Sequence, residues 1–209
     1  EVSELLEQRN RDELSERFYT DLDFGTGGLR GIIGGGSNRM NTQVVQRATQ
    51  GLATYVNEHG GTDEPSVVIA YDSRRYSSTF ALDAALVFCG NGIKTYLFTS
   101  LRPTPMLSFA VRHLATTAGV VITASHNPPQ YNGYKAYWSD GGQLVPPHDK
   151  GVIEKVREVD SVKALSPQEA EAKGLLVHID EAVDNAYVAM VAGQALRPEL
   201  LKQRGGEAR

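Results

Sequence analysis

The sequence predicts an α/β protein, a three-layer α/β/α sandwich around a mixed, mainly parallel sheet. Three observations carry that prediction. Short apolar or β-branched runs at residues 67–71, 94–98 and 118–123 alternate with segments of helical periodicity. Glycine or proline punctuates the junctions, at Gly60-Gly61, Gly90, Gly92, Pro103 and Pro105. The run at 118–123 is apolar almost throughout, as a strand covered on both faces must be. This β-α-β rhythm builds a sheet with helices on its faces.

Taken in order, residues 3–20 are mostly charged, with Leu5, Leu6, Leu14 and Phe18 at roughly helical spacing, which predicts one amphipathic helix. A glycine-dense loop follows from Asp23 to Gly31, then Gly34-Gly35-Gly36. Asn41 or Thr42 caps a helix whose apolar positions are Val44, Val45, Ala48, Leu52, Tyr55 and Val56, and which stops at Gly60-Gly61. After the strand at 67–71, Ser77 or Ser78 caps a helix over 79–89. The strand at 94–98 leads through Pro103 and Pro105 into a helix over 106–114. The buried strand at 118–123, a loop over 124–132 and a fourth strand over 133–138 complete the sheet. Beyond Pro146-Pro147 the pattern is helical, over 148–159, after the capping-box spacing Ser166-Pro167-Gln168-Glu169, and over 179–191. The polar tail from Ala195, with Gly205-Gly206, reads as a linker. The expected division is an N-terminal helix over 1–20, one domain over 21–195 and a linker over 196–209.

Composition narrows the function. A net charge of −4 over 209 residues offers no general attraction to nucleic acid or anionic lipid. No apolar run approaches the roughly 18 residues that a membrane span needs, and Glu1 to Asn10 has neither the basic start nor the apolar core of a secretory signal. One cysteine, Cys89, allows no internal disulfide and suits a reducing compartment, so a cytoplasmic location is expected. Cys89 sits in an apolar helical stretch, which points to core packing. The five histidines lack the spacing of a zinc site.

Three segments carry chemistry. Thr123-Ala124-Ser125-His126-Asn127-Pro128-Pro129 places Ser125 at the carboxyl end of a buried strand, where open α/β sheets bind ligands, on a turn stiffened by two prolines. A serine is a weak nucleophile and needs a base or another chemical state. His126 is a candidate, although neighbours on extended backbone point to opposite sides; Ser125 and Asn127 as a plain polar turn is the alternative. The second segment, with Thr26, Gly27, Gly28 and Arg30, lets backbone N–H groups approach a phosphate and adds a guanidinium fork. A flexible loop with a solvated arginine is its alternative. It is not a Walker loop, since no Gly-Lys-Ser/Thr ends it. In the third, Lys135 lies ten residues after Ser125, on the strand that a loop of that length would return, where it could neutralise a phosphate and pass a proton, or simply snorkel. Asp72-Ser73-Arg74-Arg75 follows the end of the first strand and could line the same cleft; an Asp–Arg pair fixing a loop is the favoured reading.

Together these segments resemble the α-D-phosphohexomutase superfamily of phosphoglucomutases and phosphomannomutases. Thr123 to Pro128 is similar to its phosphoserine signature, Gly25 to Gly31 to its glycine loop, and Gly133 to Lys135 to its Gly-x-Lys strand; Asp72-Ser73-Arg74 and Pro103-Thr104-Pro105 also match. The wording from Asn132 to Gln143 looks most like the phosphoglucomutase-2 and phosphopentomutase branch. The resemblance implies the first domain of a four-domain enzyme, moving a phosphoryl group within a phosphosugar through a phosphoserine and a bisphosphorylated sugar. It implies Ser125, Lys135 and His126 as catalytic residues. It implies substrate contacts from Thr26, Gly27, Arg30, Ser125 and Lys135, and Ser125 as one ligand of Mg²⁺, whose other ligands lie outside this chain. Sugar 1-phosphates and 6- or 5-phosphates, with their bisphosphates, are the implied partners; nucleic acid and membrane are not. A non-catalytic phosphosugar-binding module and a serine hydrolase are the alternatives; the absence of a GxSxG elbow argues against the latter.

Overall fold

A computed structural model describes residues 1–25 and 27–207, apart from the Leu201 side chain. The strands Gly28–Ile32 (β1), Ser66–Tyr71 (β2), Lys94–Phe98 (β3), Ala118–Ile122 (β4), Tyr131–Trp138 (β5) and Leu176–Ile179 (β6) form one sheet in the order β1-β5-β4-β2-β3-β6. β4, β2, β3 and β6 run parallel, while β5 lies antiparallel to both β4 and β1. The sheet is therefore mixed and mainly parallel, as the alternation predicted.

Period-two alternation sorts the strands' side chains between two cores. Val67, Ile69, Val120, Ile122 and Tyr134 face one layer, made by helices Thr42–His59 (α3), Ser77–Gly90 (α4), His148–Arg157 (α6) and Pro167–Ala172 (α7). Val68, Ala70, Val121 and Tyr137 face the other, made by Thr104–His113 (α5) and Glu181–Ala192 (α8). Every residue of β4 is buried, which explains its unbroken apolar run. Helix α5 packs on β2 and β4, so the second layer stops short of the β1 edge. That gap matters for the site.

The helix cap at Asn41 is as expected: its side chain accepts from the Val44 N–H at 3.0 Å. The Ser166 capping box also forms, with Glu169. Cys89 is buried in the core, and desolvation pushes its thiol pKa up. No helix among the described residues is long and apolar enough to cross a membrane.

Four expectations need correction. The N-terminal segment is two helices, Val2–Glu7 (α1) and Arg11–Phe18 (α2), because Arg9 takes a left-handed turn and Asn10 caps anew. Neither helix buries a residue; α2 is held by ion pairs from Arg17 to Glu13 and Glu1 and from Arg39 to Glu16. The glycine loop contains strand β1, whose glycines hide its strand character but permit its pairing: a Cβ on Gly28 would sit 1.9 Å from the Tyr134 carbonyl oxygen. Ser77 opens α4 rather than capping it, since its hydroxyl is spent on Asp72 and left-handed Tyr76 holds the cap position. Ile179 ends β6 instead of starting a helix; the four-residue strand after Gly174 is too short to break the helical period that follows. Apart from these corrections, the segment read as a linker contains a short helix, Pro198–Arg204 (α9), and a 3-10 turn, Gly205–Glu207.

Candidate active site

Ser125 sits three residues past the end of β4. The ladder with β5 continues to Thr123, whose N–H donates to the Gly133 carbonyl at 2.9 Å. The chain then turns sharply. Ser125 is left-handed, with φ of 57°, a conformation that costs an L-residue about 1–2 kcal/mol. Its N–H donates to the Thr123 hydroxyl at 2.9 Å, and the Asn127 N–H donates to the Ala124 carbonyl at 3.1 Å, so the turn is closed locally. Backbone of that hand breaks the extended alternation expected from sequence. The Ser125 Oγ and the His126 Nδ1 consequently meet at 3.3 Å, both exposed to solvent.

Arg30 and Lys135 come together by register. Arg30 pairs with Gly133 and Gly28 with Lys135, so both cations stand on one face of the sheet, opposite Leu29 and Tyr134. That face is the one α5 leaves bare at the β1 edge. Gly27, Gly28, Arg30, Lys135 and Gln143 line a shallow groove of about 240 Å³ there. Neither cation has an ion-pair partner among the described residues, so both keep their charge available in the groove. Thr26 lies outside the described residues. Ser125 and His126 are not part of the groove's wall. They stand on the adjoining loop at the same sheet end, since Arg30, Gly133 and Thr123 form one row across β1, β5 and β4.

Sequence reasoning overlooked Gln143, which reaches the groove because residues 142–144 fold back along β5: the Trp138 N–H donates to the Gly142 carbonyl and the Leu144 N–H to the Ala136 carbonyl, each at 3.0 Å. The Asp140-Gly141-Gly142 turn before it was the available signal. The expected Asp72–Arg74 pair is present, Nε to Oδ2 at 3.5 Å, and the guanidinium also reaches the Ser125 loop. Four other hollows are larger, the two of about 500 and 520 Å³ lying beside the N-terminal segment, and none of the four touches Ser125, Arg30 or Lys135. The paired cations, with the strand-end serine on the adjoining loop, make the smaller groove the candidate site.

No group of three His, Cys, Asp or Glu side chains among the described residues could hold a metal ion. Asp72, the carboxylate nearest the serine loop in the hydrogen-bond network, has Oδ1 taken by the Arg74 N–H and the Ser77 hydroxyl. A Mg²⁺ ion at this edge would find the Ser125 oxygen as its ligand from this loop, a donor of the right hardness but insufficient alone.

Residues 21–163 match the family described as phosphoglucomutase/phosphomannomutase, alpha/beta/alpha domain I. The chain is similar to a phosphopentomutase of Homo sapiens, 41% identical over 164 residues, which is 75% of this chain and 27% of the relative. It is also similar to a phosphoglucomutase of Staphylococcus haemolyticus, 50% identical over 127 residues, or 61% of this chain and 23% of that protein. Among solved structures, a Thermus thermophilus protein named provisionally as a phosphomannomutase superposes with a TM-score of 0.66 at 31% identity, covering 77% of this chain and 33% of that one. The chain spans about a quarter of the length of these curated relatives. With the fold, the strand-end serine and the family match all in agreement, the chain belongs to the phosphoglucomutase/phosphomannomutase family and carries its domain I.

Proposed function

We propose that this chain is the phosphoserine-bearing part of a phosphosugar mutase. The observation that supports the reading best is the pair of unpartnered cations, Arg30 and Lys135, on the sheet face beside the loop of Ser125. In the forward step the bond from phosphorus to Ser125 Oγ breaks and one to a sugar hydroxyl oxygen forms. The hydroxyl proton passes to a base and the Ser125 oxygen regains one. In the return step Ser125 takes the sugar's other phosphoryl group. Such transfers depend on charge neutralisation and alignment more than on covalent activation. Arg30 and Lys135 neutralise phosphate oxygens, and backbone at Gly27 approaches them closely. Lys135 or His126 moves the proton; His126 Nδ1 is already within reach of the Ser125 oxygen.

Mg²⁺, when bound, supplies further charge neutralisation at the phosphoryl oxygens, with Ser125 as one ligand. The substrates are hexose or pentose phosphates and their bisphosphates, in line with the names of the relatives. The setting is the cytoplasm, where the Cys89 thiol stays reduced. The test is peptide mass spectrometry of the enzyme after incubation with a hexose or pentose bisphosphate. Phosphate on Ser125, absent in Ser125→Ala, is expected. Phosphate found reproducibly elsewhere with Ser125 bare overturns the reading.

A further inference from the structure

We propose that Arg74 is a positioning residue of the phosphoryl-carrying loop: it draws the loop's carbonyl groups onto its guanidinium and so fixes where Ser125 and its charge can sit. The inference rests on the reading of Ser125 as the phosphoryl carrier.

Four carbonyl oxygens accept from Arg74. Nη2 donates to Ser125 at 2.8 Å and to Asn127 at 2.6 Å, and Nη1 donates to Pro128 and to Tyr131 at 3.0 Å each. Nε faces Asp72 Oδ2 at 3.5 Å in an ion pair, so carbonyls hold both Nη groups and a carboxylate stands beside Nε. The fork itself is anchored. Asp72 Oδ1 accepts from the Arg74 backbone N–H at 2.9 Å and from the Ser77 hydroxyl at 2.8 Å. Buried Asn132 donates to that Ser77 oxygen at 3.0 Å and accepts from the Gly133 N–H at 2.8 Å, which ties the clamp to β5. Arg74 is mostly shielded from solvent, with 14% of its side-chain surface exposed.

The chemistry of the loop explains why a guanidinium is wanted. The carbonyls of Asn127 and Pro128 both precede proline, so neither peptide unit carries an N–H. Proline stiffens the turn but leaves the loop rich in acceptors and poor in donors. Carbonyl oxygens left facing Ser125 would repel a phosphate there. Arg74 turns them toward itself, behind the loop. In the trans peptide joining Ser125 to His126, the His126 N–H then points opposite the captured Ser125 carbonyl, away from the clamp. A single planar fork can hold several fixed acceptors in this way, whereas an ammonium is a point charge. The clamp also stabilises the left-handed turn at Ser125 that brings its oxygen to His126.

The experiment compares wild-type enzyme with Arg74→Ala and Arg74→Lys, each checked for an unchanged melting profile. Expected is a loss of about a hundredfold in kcat for Arg74→Ala, the order that a misplaced reacting group costs, with KM within about threefold. Arg74→Lys should recover little. Guanidinium chloride well below denaturing concentration should restore much of the rate to Arg74→Ala and none to Arg74→Lys. Independently of turnover, amide exchange should quicken in peptides covering 123–132 and nowhere else. Wild-type kcat in Arg74→Ala, or a loss that follows global unfolding and resists guanidinium, overturns the proposal. If wild type itself takes up no phosphate from a sugar bisphosphate, the phosphoserine reading fails, and the exchange comparison still decides whether Arg74 shapes the loop.

Discussion

A Cβ placed on Gly27 would lie 2.4 Å from the amide nitrogen of Gln143. Gly27 also takes a φ of 78°, which L-residues rarely adopt. This wall of the groove is thus shaped by glycine's lack of a side chain on two counts. Gly27→Ala is expected to displace Gln143 and to strain the backbone by about 1–2 kcal/mol. Its readouts are a lower melting temperature and a raised KM for sugar phosphate. Adding Gln143→Ala should recover part of the KM and little of the stability, because it relieves the clash and leaves the strained φ.

Arg30 and Lys135 contribute charge rather than packing, since neither makes an ion pair among the described residues and both face the open groove. Arg30→Ala or Lys135→Met should lower kcat by about a hundredfold or more, the usual cost of removing one transition-state contact. Melting should change by only a few degrees. Pure variants that turn over at wild-type rates would remove both residues from the mechanism.

Tyr134 is completely buried beneath α3, and its hydroxyl finds no hydrogen-bond partner of ordinary geometry; the adjacent Thr49 hydroxyl donates to the Val45 carbonyl. Tyr134→Phe should therefore leave stability at neutral pH unchanged or raise it, unlike Phe88→Ala, which empties core volume and should cost about 3–5 kcal/mol. Desolvation holds the folded-state Tyr134 pKa well above its unfolded value of about 10, against the opposing pull of the Thr49 hydroxyl. The unfolded chain gives up that proton first, so the stability this creates is complete below about pH 10 and drains away as pH rises further. Tyr55 and Tyr137 are shifted the same way by burial. Denaturant titrations above pH 10 should show a shallower decline in Tyr134→Phe than in wild type.

Arg102 grips Asp184 with two bonds, Nε to Oδ1 at 2.7 Å and Nη2 to Oδ2 at 2.6 Å, and reaches Asp180 at 3.1 Å. These ties join the loop after β3 to the start of α8. Arg102→Ala should lower stability by about 1–3 kcal/mol. Amide exchange should rise first across 180–192. Arg102→Lys should restore less than half of the loss, having no fork.

Much of this architecture was legible because the relevant residues obey one period. Val67 to Tyr71 and Ala118 to Ile122 read as strands from their apolar runs, and Asn41 and Ser166 announced their helices through capping chemistry that the structure repeats. What escaped reading is what tertiary contact creates. Gly28 to Ile32, with two glycines in five residues, has little strand propensity of its own and is a strand because β5 pairs with it. Leu176 to Ile179 is extended because β3 offers an edge. At the site, Ser125 and the Arg30–Lys135 pair could be picked out by residue type and position. The meeting of Ser125 with His126 could not, since it depends on a left-handed turn that no local pattern declares. Gln143 was hidden for a similar reason, its place being set by a fold-back along β5.

The clamp on the serine loop has a consequence for the order in which the molecule assembles. β4 and β5 are joined by a short connection and can pair early, since closing a small loop costs little chain entropy. Arg74 comes from 51 to 57 residues away from the carbonyls it holds. It can reach them only once β2 has docked in parallel beside β4, a slower, non-local event. A folding chain thus possesses its hairpin, with every residue of the motif in sequence, before it possesses the motif's shape. The shape of the serine loop should therefore mature only with the completed sheet, and amide protection across 123–132 should appear after that of the β4–β5 ladder.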